Sequence, residues 1–183
     1  MIFGAIFASC SLFDTREPED PDTTTGPSFI QPDRPESVIE NLTNAVRHMN
    51  ADHYRRSLSG DEFEYEPSTV AQSSSPATWT TWGFDQEQIY FSNMRADAEG
   101  RSGHNLQFDN ESRGNVGENE EQYEADYTLT IRHNRSGLPE VAQGRIILTM
   151  VQAEDGQWSI RSWVDSGDGS DFTWSDFRAA FLD

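Results

Sequence analysis

The chain contains no lysine: all 13 of its basic residues are arginine, set against 32 aspartates and glutamates for a formal net charge of −19 over 183 residues. A surface this acidic repels phosphate backbones, and nucleic-acid affinity rests on neutralising phosphates with basic side chains, so no nucleic-acid partner is expected. The bland account of the charge is a solubility device whose self-repulsion is tolerated where salt screens it. Cysteine is also nearly absent, with one in the chain, which leaves no intrachain disulfide and no cysteine cluster for zinc. The histidines His48, His53, His104 and His133 show no HExxH-type spacing. The acidic stretch GENEEQYEAD lacks the ligand and glycine spacing of an EF-hand, and SGDGSD lacks the lysine of a phosphate-binding loop. Neither a metal nor a cofactor is expected. Long apolar runs are missing too: the uncharged, mostly apolar stretch MIFGAIFAS falls far short of the roughly 20 residues a transmembrane helix needs.

What is present begins at the single cysteine. The uncharged residues 1–9 end in Ala8 and Ser9 directly before Cys10, and SLFDTREPEDPDTTTGPS follows with the composition of a tether that cannot bury enough apolar surface to fold. A lone cysteine can be a buried core residue, a reactive thiol or an attachment point. The polar neighbours of Cys10 argue against burial, and nothing nearby offers an ordered base for a thiol. Phe7, Ala8, Ser9 and Cys10 resemble the lipobox that ends a bacterial lipoprotein signal peptide. Phe7 stands where leucine is usual, and a positive n-region and full signal length are missing. The resemblance implies a truncated signal remnant over residues 1–9, with a start upstream of Met1. It also implies an acylated Cys10 as first mature residue and a disordered acidic linker over 10–33. The product would then be anchored to the membrane at the periplasmic or outer surface of the cell envelope, because two or more acyl chains hold a protein on a bilayer where one is marginal.

A single ordered domain is expected over residues 34–183. RPESVIENLTNAVRHMN carries Pro35 and Glu36 at a helix start and Val38, Ile39, Leu42, Val46 and Met49 at helical spacing. ADHYRRSLS reads as a short second helix ended by Gly60, and DEFEYEP as a half-buried strand. SSSPATWTTWG reads as a loop. FDQEQIYFSNMRA reads as a helix with Phe84, Gln88, Phe91 and Met94 on one side, and HNLQFD as a short strand before the acidic loop NESRGNVGENEE. Period-two alternation then marks antiparallel strands through Tyr123, Ala125, Tyr127, Leu129 and Ile131 and through Ile146, Leu148 and Met150. A hairpin at EDGQ leads into WSIRSWVDS, read with Trp158, Ile160 and Ser162 on one face and Trp163 on the other. Thr173 caps a terminal helix through Trp174, Phe177 and Phe181. Helices first and strands afterwards make an α+β fold with helices on one face of a curved antiparallel sheet.

RPESVIENLTNAV, DHYRRSL, DEFEYEP, TTWGFDQEQIYFSNM and GQWSIRSWVDSGDGSDFTWSDFRAAF together resemble a nuclear transport factor 2-like (cystatin-like) domain of the bacterial lipoprotein type. The resemblance covers about residues 34–182. It implies a cone: a strongly bent antiparallel sheet wrapping the helices around an apolar pocket. Its members include lyases, isomerases, polyketide cyclase-like enzymes and noncatalytic binding or dimerisation modules, so the fold alone assigns no reaction.

An enzyme of this type needs an acid or histidine base facing the pocket and a donor for a developing oxyanion. Asp165 and His133, both at strand ends, are the candidate bases, against the ordinary alternatives of a turn-capping carboxylate and an exposed strand-end histidine. Tyr127 and Trp163 are candidate donors. Trp79 and Trp82, in or beside a loop, are candidates for an exposed binding role. The expected function is a noncatalytic envelope lipoprotein whose cone holds a small ligand, a peptide or a partner protein. The alternatives are a small-molecule lyase or isomerase and an interaction module that forms a homodimer through the sheet.

Overall fold

The computed structural model describes residues 27–169 and 171–182; Cys10, the signal-like segment and most of the linker lie outside the described residues. Helix α1 (Pro35–His48) starts with proline at its first position and Glu36 in its first turn, and ends with Arg47 and His48 in its last, each charge placed to suit the helix dipole. Met49 closes it in the left-handed region, at φ 50°. Ahead of the helix, the Asn41 side chain accepts from Ile30 N–H at 2.9 Å and donates to the Ile30 carbonyl at 2.7 Å, so the chain is already held at Ile30. Helix α2 (Ala51–Arg56) is capped by Asn50, whose side chain accepts from His53 N–H. A single 3-10 turn at Gly60–Glu62 leads into β1 (Glu64–Glu66).

The stretch read as a loop is helical: α3 (Thr69–Ser74) and α4 (Pro76–Trp79). Ser68 caps the first and Pro76 opens the second, signals that are present in the sequence but sit in a serine-rich run without helical apolar spacing. Helix α5 (Phe84–Asp97) follows as expected, with a rotated inner face: Glu87 and Tyr90 are buried with Phe91 and Met94, while Ile89 is 48% exposed.

Four antiparallel strands complete the sheet: β2 (Asn105–Gly117), β3 (Glu120–Thr130), β4 (Val141–Gln152) and β5 (Trp158–Ser166). The order is β1-β5-β4-β3-β2, with β1 parallel to β5. Strand β2 runs well past the expected HNLQFD, through residues read as an acidic loop. Its far half is exposed and, Val116 apart, without large apolar side chains, and it is held by backbone pairing to β3, with register shifts after Asp109 and after Asn115. Tyr123, Ala125, Tyr127 and Leu129 on β3 and Ala142, Ile146, Leu148 and Met150 on β4 face the helices and are buried. Helix α6 (Trp174–Ala180) closes the layer. Its cap residue Thr173 donates from its amide to Asp176 Oδ2 at 2.7 Å and from its hydroxyl to the same oxygen at 3.0 Å. This is the single-domain α+β architecture expected, a sheet dominated by antiparallel strands with its helices on the inner face.

Candidate functional site

Strand β5 does not alternate strictly. Ser162 pairs with Thr149 and Ile160 with Met150, so Arg161 is an extra residue between them. This bulge lets Ile160 and Trp163, an odd number of residues apart, both face inward at 0% exposure, and Asp165 follows on the inner face at 2%. The simple face assignment from the sequence fails here for that reason.

Both oxygens of the Asp165 carboxylate accept hydrogen bonds. Its Oδ1 accepts the Tyr127 hydroxyl at 2.8 Å, and its Oδ2 accepts the Ser175 amide at 2.7 Å, the Ser175 hydroxyl at 2.5 Å and the Tyr65 hydroxyl at 3.3 Å. Ser175 is in turn fixed by the Ser68 amide, which donates to its Oγ at 2.9 Å. Burial pushes the Asp165 carboxyl above its ordinary range, opposed by the hydrogen bonds of Ser175 and Tyr127 and by the charge of Arg178. Gly144 lies directly opposite Tyr127 in the β3–β4 register. A Cβ there would meet Ser166 O at 2.4 Å and the Tyr127 hydroxyl at 2.8 Å, so glycine is what lets the phenol reach Asp165.

Next to this cluster lies a buried ion pair the sequence did not announce. Arg178 and Glu87 are both at 0% exposure, with Arg178 Nε donating to Glu87 Oε1 at 2.5 Å. Trp82 Nε1 donates to the same oxygen at 2.9 Å, and the Tyr54 hydroxyl to Oε2 at 2.8 Å. The guanidinium is boxed by the rings of Tyr65 at 4.1 Å and Trp163 at 4.3 Å, with Trp174 and Tyr90 farther out. Burial disfavours its charge, but Glu87 and the surrounding phenols more than offset this and hold its pKa above the ordinary value. Two donors in this box, Arg178 Nη1 and Trp163 Nε1, find no hydrogen-bond partner among the described residues.

The remaining candidates are placed elsewhere. Trp79 and Trp82 are not a surface pair: each is 8% exposed, their rings 4.8 Å apart, with Trp79 Nε1 donating to the Ala71 carbonyl. His133 is 4% exposed rather than at the surface. It accepts the Arg135 amide at Nδ1, lies 3.1 Å from the Pro139 carbonyl through Nε2, and packs edge-on to Phe177 and Phe181. These bonds fit the tautomer protonated at Nε2. Tyr127 and Trp163 do come together with Asp165 around the start of α6, through Trp174, whose ring stands at 82° to that of Trp163 and whose amide donates to the Tyr127 hydroxyl. Glu87, Arg178, Tyr65 and Ser175 were not legible as members of the cluster. Among the described residues no group of three or more His, Cys, Asp or Glu side chains could hold a metal ion, and no helix is long and apolar enough to cross a membrane.

No protein-family model matches the chain, and no curated protein matches it. Solved structures do resemble it. A nuclear transport factor 2-like superfamily protein from Salmonella enterica serovar Typhimurium is 17% identical with a TM-score of 0.51, over 71% of this chain and 85% of that one. An NTF-2 like protein of unknown function from Shewanella oneidensis is 12% identical with a TM-score of 0.51, over 72% and 94%. A ketosteroid isomerase-like protein from Erwinia carotovora atroseptica is 8% identical with a TM-score of 0.50, over 75% and 93%. The five-stranded, mainly antiparallel sheet, the helices on its inner face and these likenesses agree on one conclusion: the chain has the nuclear transport factor 2-like fold.

Proposed function

We propose that the chain is a noncatalytic binding domain on a ligand-binding fold, held at the cell envelope through an acylated Cys10. The observation that carries the noncatalytic reading is the state of Asp165. A proton-abstracting base must be reachable by substrate, whereas Asp165 is 2% exposed and both of its oxygens accept internal hydrogen bonds, from Tyr127 on one side and from Ser175 and Tyr65 on the other. The interior then serves to fix the shape of the domain, and recognition falls to its outer surfaces. A homodimer through the sheet is the weaker form of this reading, because the outward side chains there include Arg145 paired with Glu124 and Asp126, and Arg161 paired with Glu120.

The competing reading is a lyase or isomerase with Asp165 or His133 as base. It is supported by the Tyr127 donor beside Asp165 and by the two unpartnered donors, Arg178 Nη1 and Trp163 Nε1. Hydrogen–deuterium exchange at the α-carbon of 1-tetralone, followed by NMR in heavy water, separates the two. Exchange no faster than in buffer is expected. Exchange that is accelerated by the wild-type protein and lost in Asp165→Asn would establish the enzyme reading for this probe. The anchor is tested by palmitate labelling of the native product and of Cys10→Ala, where equal labelling of both removes it.

A further inference from the structure

The arginines of this acidic chain are unequally distributed. Most of those described lie within ion-pair distance of a carboxylate, from Arg55 and Arg56 on α2 to the buried Arg178. Four do not. Arg34 bonds the Ser37 hydroxyl, and the other three, Arg47, Arg95 and Arg101, line a single groove of about 520 Å³ together with His48 and His104. The groove is formed where α1 and α5 end and by the turn that carries the chain on to β2. Among the described residues Glu99 is the only acidic one lining it.

Basic side chains at helix C-termini have an ordinary use, bonding the last carbonyls and complementing the dipole. That accounts for Arg47 at the end of α1 and Arg95 at the end of α5 taken singly, but not for their meeting each other and Arg101 in one groove. Neither the Arg47 nor the Arg95 guanidinium makes a hydrogen bond or ion pair with any described residue, and Arg101 uses its Nε alone, donating to Asn134 Oδ1 at 2.8 Å. Three cations drawn to one cavity repel one another, in a protein with acids to spare for pairing them. The walls are built rather than incidental. Met49, Ala98 and His104 are buried at 8%, 4% and 7%, the Arg132 amide donates to His104 Nδ1, and Gly103 takes left-handed backbone at φ 87°.

We propose that this groove binds a compact, multiply charged oxyanion, a small molecule bearing phosphoryl or carboxylate groups. Guanidinium donors match the oxygens of both groups. The volume lies within the range of small-molecule sites and exceeds what a lone phosphate fills, and Met49, Ala96 and Ala98 offer apolar surface to an organic body. The net charge of −19 adds selectivity: a polyanion longer than the groove would run onto acidic surface, while a compact anion is surrounded by local positive charge. The site stands apart from the Asp165 interior and does not depend on Cys10.

Isothermal titration of the full chain with inorganic pyrophosphate and, separately, with citrate at low salt tests this. Saturable binding of one equivalent is expected for at least one of the two, the tighter probe assigning phosphoryl or carboxylate chemistry. Arg95→Gln and Arg101→Gln are expected to weaken it at least tenfold each, and Arg55→Gln, in a paired surface arginine, to leave it unchanged. Because the Arg95 guanidinium has no internal partner, its variant is expected to melt with the wild type, which separates lost binding from lost folding. Absence of saturable binding for both probes, or an Arg95→Gln protein that binds like the wild type, overturns the site. Neither result bears on α-carbon exchange, so the noncatalytic reading stands or falls separately.

Discussion

The Tyr127 hydroxyl donates to Asp165 Oδ1 at 2.8 Å while accepting the Trp174 amide at 2.7 Å. One phenol thereby joins the middle of β3, the end of β5 and the first residue of α6. Tyr127→Phe leaves that amide and one carboxylate oxygen short of a partner, and unmade bonds at buried groups cost about 1–3 kcal/mol. A Tm lowered by roughly 2–10 °C is expected for a domain of this size. An unchanged urea midpoint would show that the phenol holds nothing together.

The Arg178–Glu87 pair is expected to behave as a unit. Arg178→Met leaves Glu87 buried with only its neutral donors, and breaking one side of a buried pair typically costs about 3–5 kcal/mol. Replacing both, as Arg178→Met with Glu87→Leu, is expected to recover much of the loss, since an apolar pair of similar volume is often neutral. A double-mutant cycle by chemical denaturation reads the coupling directly. Additive losses would contradict the geometry.

Gly144→Ala places a methyl group against Ser166 O and the Tyr127 hydroxyl, and is expected to destabilise by about 1–3 kcal/mol, as overpacking does. Combining it with Tyr127→Phe removes only one of the two close contacts, because the carbonyl at 2.4 Å remains. Partial relief is therefore the expected result, and full rescue would mean that β5 yields.

These sites mark where sequence patterning stops being informative. Strands β3 and β4 were legible because one face is apolar at every second residue, and the α6 cap because Thr173 precedes the apolar spacing of Trp174 and Phe177. The far half of β2 carries no such pattern, since an edge strand held by backbone pairing needs none. Arg161 gives no local sign that it is the extra residue of a bulge, yet it decides which way Trp163 points. Glu87 and Arg178 are 91 positions apart, and a charged residue reads as exposed until its partner is known. That assumption is what put Gln88 rather than Glu87 on the inner side in the reading of α5.

Acid should weaken the domain through His104. Burial lowers its pKa, assisted by the charge of Arg132 and opposed by a hydrogen bond to the Arg101 backbone. The folded state therefore binds a proton less readily than the unfolded chain. Its contribution is fully present above the ordinary histidine range and is lost as pH falls through that range toward the depressed value. Urea midpoints are expected to drop between pH 7.5 and 5.5, and His104→Gln to flatten that part of the profile.

Salt should have the opposite tendency. With a net charge of −19, screening relieves self-repulsion over distances beyond about 10 Å at 0.1 M salt, and the melting temperature is expected to rise between low and molar sodium chloride. A flat response would place the acids in local pairs instead.

The outer half of β2 has a final consequence, which concerns self-association. An edge strand offers unpaired backbone groups to any passing chain. Here that edge is kinked after Asp109, where Asn110 adopts φ 52°, and again after Asn115. Its exposed run includes Asp109, Glu111 and Arg113, with Arg113 turned onto Glu36 of α1 at 2.7 Å. A second copy seeking to extend the sheet would find a bent, charged template out of register with a straight strand. The long polar strand that the sequence disguised as a loop is thus a barrier to templated stacking, built from the same residues that hid it.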